Sequence, residues 1–249
     1  MPRPPRLFPV VTVAVGLFFA GCGKPAEQGA QETPRAAPPD VRAHMADHFG
    51  KVREVEEAII RGDVEAARTP ARWIADHQET AGLPPHTERY TTEMKAAAAS
   101  VANSEDIGDA AVAAATMVGT CGSCHAAAKV RPKLPPVSED ATGTERARHM
   151  LEHQHAIDRM YRGLIDPTGE QWRTGALALK AAPLRDRALA DVSKEVVAAE
   201  ARVHELADRA LGAAEKSARV QIYGSIIGAC ASCHGLHGRI WGPGLAKTQ

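Results

Sequence analysis

The chain has 249 residues, and its 30 Lys plus Arg balance 30 Asp plus Glu, so the formal net charge at pH 7 is zero. That balance gives no bulk electrostatic case for binding nucleic acid or an anionic surface. Aromatic residues make up 4% and alanine is abundant, which favours helices over sheets.

The N-terminus reads as a targeting segment. Arg3 and Arg6 are followed by the apolar run Leu7 to Ala20, about the length of a signal-peptide core and too short for a comfortable membrane span. The run ends Phe19-Ala20-Gly21-Cys22, which resembles a bacterial lipobox, in which the cysteine becomes the lipidated first residue of the mature protein. Residues 1–21 are therefore expected to be a lipoprotein signal peptide, with Cys22 as the lipidation site. The alternative is an ordinary cleaved signal with an incidental cysteine. Residues 22–39 are rich in Pro, Ala, Gly, Gln and Glu without apolar periodicity, and read as a disordered tether.

The remainder is a duplication. His44-Met45-x-x-His48 is matched by His149-Met150-x-x-His153 at an offset of 105, and Cys121 by Cys230 at an offset of 109. A long period seen twice means a duplicated domain, here 40–130 and 144–240, joined by the proline-bearing linker 131–143. Each half reads as four helices. In the first, Asp40 caps a helix that Gly62 stops, and its apolar stripe is Val41, Met45, His48 or Phe49, Val52, Val55 and Ile59. Asp63 caps a second helix to about His77, a third runs from about His86 to Ala102, and a fourth from Ser104 as cap to about Val130. In the second half, Thr142 to Glu145 reads as a capping box, and Asp166-Pro167 as a cap and first helical position. Two further helices are expected from about Arg187 to Leu211 and Ala214 to His237. Short connections make neighbours antiparallel, so the fold class expected is all-α, two tandem up-down four-helix bundles.

The last helix of each half carries C-x-x-C-H: Cys121, Cys124 and His125, then Cys230, Cys233 and His234. This is the attachment signal for c-type haem. Positions i, i+3 and i+4 share one helix face, so two thiols can bond the haem vinyl groups while the adjacent imidazole reaches iron as proximal ligand. The competing readings are a Cys₄ zinc site, which does not need the histidines, and disulfides, which a regular helix would strain. Five cysteines divide as four for two haems and one for lipid.

A four-helix bundle with C-x-x-C-H near the end of its last helix resembles the cytochrome c′ and cytochrome c-556 group, once in each half. The resemblance implies a haem inside each bundle and a distal residue supplied by the first helix: methionine in six-coordinate electron carriers, a non-ligating residue in members that bind gases such as nitric oxide. The first helices here offer His48 and His153, with Met45 and Met150 as the alternative. The histidines are preferred because a buried imidazole without a partner costs free energy and a buried methionine does not. His44 and His149, spaced i, i+4 from them, also suggest a zinc or copper pair, against ordinary structural roles. His77, His86, His155, His204 and His237 read as solvated, and Trp73 and Trp172 as packing residues.

The function expected is a lipid-anchored, periplasm-facing di-haem cytochrome c, not an enzyme, carrying electrons between redox proteins such as membrane respiratory or photosynthetic complexes. Gas binding at five-coordinate iron and a di-haem peroxidase are the alternatives.

Overall fold

The computed structural model describes residues 39–78, 82–137, 143–166, 168–182 and 193–237. Over these the chain is all-α: eight helices and no strand. They are α1 (Pro39–Ile60), α2 (Val64–Asp76), α3 (Glu88–Asn103), α4 (Ile107–Ala127), α5 (Glu145–Ile165), α6 (Glu170–Ala181), α7 (Lys194–Gly212) and α8 (Lys216–His237). The expected signal peptide, Cys22, the expected tether to residue 38, Thr142, Pro167 and the start expected at Arg187 lie outside the described residues.

Local signals explain most helix ends. Gly62 takes φ +74°, and the amides of Gly62 and Asp63 donate to Ile59 and Ala58, the left-handed stop expected there. Asp63 accepts from the Ala66 amide and starts α2. Four expected caps moved. Pro39, with φ already set for a helix, begins α1, so Asp40 sits in the first turn. Asp106, not Ser104, caps α4, because its carboxylate accepts from both Gly108 and Asp109 while Ser104 bonds back to Ser100 O. Thr144 caps α5 by accepting from Ala147 N. Asp166 closes α5 rather than opening α6: its amide donates to Arg162 O and its Oδ1 accepts from Thr168 N, a turn that competes with capping.

Chain neighbours pack in order, α1 on α2, α2 on α3, α3 on α4, then α5 on α6, α6 on α7 and α7 on α8. The halves also pack on each other, chiefly α4 on α8, with α5 on α4 and α1 on α8. Small residues allow the α4–α8 approach: a Cβ on Gly224 would lie 3.2 Å from Ala111 O. One apolar core therefore runs through both halves, from Val55 and Ile74 to Leu206 and Ile226, within the compact unit Pro34–Gln249. By length and composition α4 is long and apolar enough to cross a membrane, but half of that window is buried in this core.

A polar cluster crosses the same junction. Glu56 on α1 is 2% exposed, pairs with Arg53 and accepts from the Tyr223 hydroxyl of α8. Arg53 Nη2 reaches Asp158 Oδ1 at 2.7 Å and its guanidinium lies 5.1 Å from the centre of the Tyr161 ring on α5. Burial pushes the Glu56 carboxyl up to about 8, with Arg53 opposing. The native state thus holds a proton that the unfolded chain releases near 4.5, so this group's stabilisation is full at low pH and is lost as pH rises towards 8. Burial pulls His153 the other way, down to about 4, but that contribution acts only below about pH 6.5. Between about pH 6.5 and about pH 8.5 wild type should lose about 2 kcal/mol of stability to Glu56 ionisation. Glu56→Gln should flatten that slope in urea titrations at the two pH values; equal slopes in both proteins would contradict the account.

Candidate functional site

Two cavities open where the halves meet. Cys121, Cys124 and His125 line the first, together with Met45 and His48 of α1. Cys230, Cys233 and His234 line the second, together with Met150 and His153 of α5. Each C-x-x-C-H thus shares a cavity with both distal candidates of its own half, and the other half completes the wall: Tyr161 and Ile165 in the first cavity, Arg53 and Ile60 in the second.

The motif histidines are held by the opposite half. His125 Nδ1 lies 3.4 Å from Ile165 O, and His234 Nδ1 lies 2.6 Å from Ile60 O. Ile165 and Ile60 are the last residues of α5 and α1, so each imidazole satisfies a carbonyl that its helix leaves unpaired. A carbonyl only accepts, so each Nδ1 carries the proton and each Nε2 keeps its lone pair. Burial lowers both imidazoles from their ordinary value, which keeps them neutral. Burial pushes the thiols up, Cys121 to about 11 and Cys230 to about 12, each reinforced by the other cysteine of its pair. Neutral buried thiols are poor nucleophiles. The two pairs line different cavities, so they do not assemble a Cys₄ site.

The paired histidines of the first helices are buried, His44 and His48 at 7% and 4% exposure and His149 and His153 at 6% each. His44, His48 and His77 form one cluster, with ring centres 4.3 Å and 5.1 Å apart, and the His77 ring stacks on Trp73 at 4.0 Å. His149, His153 and Glu200 form the other: Glu200 Oε1 lies 3.1 Å from His149 Nε2, 3.7 Å from His153 Nε2 and 3.0 Å from His204 Nε2. His153 Nε2 also lies 3.1 Å from Ala182 O. Burial raises the Glu200 carboxyl, but the imidazoles around it outweigh that and hold it down at about 2. His77 and His204 are thus not solvated side chains; the signal available in the sequence was Trp73 four residues before His77. Trp172 packs as expected, 1% exposed, with its indole N–H donating to Ala210 O at 2.9 Å.

No family model, curated protein or solved structure gives a significant match to this chain.

The first motif is pressed against α5. A Cβ on Gly122 would lie 1.9 Å from Leu164 O, a backbone atom that cannot swing aside. Gly122→Ala should therefore cost roughly 2–4 kcal/mol and lower the thermal midpoint, because α4 must retreat from the helix end that His125 caps. A melt within a degree or so of wild type would refute that contact.

Proposed function

We propose that the protein is a membrane-anchored, periplasm-facing electron carrier holding one covalent haem c in each half, with the halves built as two four-helix bundles that share a core. The observation that carries the reading is that each motif histidine shares a cavity with its own two cysteines and donates Nδ1–H to a helix-end carbonyl, the tautomer a metal-ligating imidazole takes. The residues present fit the group. Cys121 with Cys124, and Cys230 with Cys233, would hold it by thioether bonds, and His125 and His234 would be proximal ligands.

Of the distal candidates, we assign Met45 and Met150. The case for His48 and His153 rested on the cost of burying an imidazole without a partner. His153 reaches Ala182 O and Glu200, so in the second half that cost is met without iron, and the repeat extends the assignment to the first half. A bound haem supplies one-electron transfer at its iron, with methionine ligation raising the potential. The chain supplies the rest. Tyr90, Met94 and Ile165 wall the first cavity with mostly apolar surface, while Arg53, Asp158 and Glu200 bring charge to the second. That difference supports unequal potentials, and hence a direction for electron flow.

Both haems should stay on the polypeptide through acid–acetone extraction and appear as two mass additions, and Cys124→Ala or Cys233→Ala should remove one. A purified protein with zinc and no haem would end the reading. Carbon monoxide added to the reduced protein should bind after Met45→Ala or Met150→Ala, with loss of a charge-transfer band at the red end of the ferric spectrum, and not after His48→Ala. Binding to both haems of the wild type would favour the gas-binding alternative instead.

The anchor rests on Cys22 directly after an apolar core. Cys22→Ser should abolish palmitate labelling and move the protein from the membrane to the soluble fraction; an unlabelled wild type would exclude lipidation.

A further inference from the structure

The duplicated histidine pair has a third partner in each half, and the two third partners come from different places. In the first half it is His77, which closes the C-terminal end of α2. At the offset that aligns the first helices, the second half has Ala182 in the place of His77. There the third partner is Glu200, on α7. Duplication copies residues in place; it does not bring a new donor from another helix to the same pair. In each trio the ligand atoms lie within 4.8 Å of one another.

We infer that the chain carries two divalent transition-metal sites of the zinc class, His44–His48–His77 and His149–His153–Glu200, separate from the C-x-x-C-H motifs. Zinc binds imidazole nitrogen and carboxylate oxygen at about 2.0–2.2 Å, which in a tetrahedral arrangement separates ligand atoms by about 3.3 Å. The distances from Glu200 Oε1 to His149 Nε2 and His153 Nε2, 3.1 Å and 3.7 Å, bracket that value, and zinc there would replace the proton that His153 Nε2 shares with Ala182 O, 3.1 Å away. Three histidines, or two histidines and a glutamate, are both sets that hold zinc with a fourth position left for water. His77 and Glu200 are only half-buried, so solvent reaches that position. Helix i, i+4 spacing fixes the first two donors before the third arrives. Trp73, stacked on His77 and edge-on to His48 at 5.5 Å, orients two of the three rings in the first site. A hydrogen-bonded carboxylate would account for the second cluster alone; the first is made of imidazoles, and a metal accounts for both in the same way.

The inference does not depend on haem, and the test separates the two. The full-length purified protein is stripped with a chelator, loaded with zinc chloride, desalted and measured for zinc and iron per chain. Wild type should retain two zinc ions. The double variant His44→Ala with His77→Ala, and the single variant His149→Ala, should each retain one and leave the iron content unchanged. Zinc-edge X-ray absorption of the loaded wild type guards against misfolded variants. A nitrogen and oxygen shell supports the sites. A sulfur shell would put zinc on the cysteines, overturning this inference and the haem reading together. Loss of zinc on desalting, with iron present, would overturn this inference alone.

Discussion

Everything at the centre of the molecule depends on one exchanged hydrogen bond. The imidazole of each C-x-x-C-H caps the final carbonyl of the first helix in the opposite half, His125 on Ile165 and His234 on Ile60. The last carbonyls of a helix are unpaired by geometry and costly to bury. Here the same contact that satisfies them fixes the tautomer of the histidine. The pairing also sets how near the helices come. Gly122 must lack a side chain against Leu164 O, and a Cβ on Gly62 would lie 3.1 Å from Ala231 O. Either motif therefore reports on the fold of the other half, and neither cavity is closed by its own half alone.

The buried cluster at this junction stands between the cavities. Tyr161 lines one, Arg53 and Asp158 line the other, and Glu56 and Tyr223 connect them across the halves. Breaking such a group by removing one partner is strongly destabilising, whereas the intact group adds little net stability, so its effect is to select one packing of the halves.

What the sequence made legible was local. Gly62 and Asp63 announced the end of α1 and the start of α2, and the apolar stripe of α1 placed Val52, Val55 and Ile59 in the core. Where two local signals competed, the spacing alone did not choose between them: Ser104 yielded to Asp106, and Asp166 turned the chain instead of opening α6. The third member of the second histidine cluster was illegible for a different reason. Glu200 lies far along the chain from His149 and on another helix, and no spacing rule reports a contact of that kind. The shared core was hidden by the repeat itself, since a duplicated sequence suggests two independent domains and carries no mark of the face on which they meet.

The first helices divide their work by face. On α1, Met45 and Phe49 line the cavity of Cys121 and Cys124, while His44 one position away gathers with His77 at the end of α2. His48 stands at the boundary, lining the cavity and closing the cluster. The same division holds on α5, with Met150 in the cavity, His149 against Glu200 and His153 between. An imidazole has one lone pair to give in its neutral form, so His48 and His153 cannot serve an iron and a second metal through the same nitrogen. Assigning methionine to the cavity and histidine to the cluster removes that conflict in both halves at once. It also explains why Met and His stand side by side at both copies of the repeat, since each serves a different face of one helix turn.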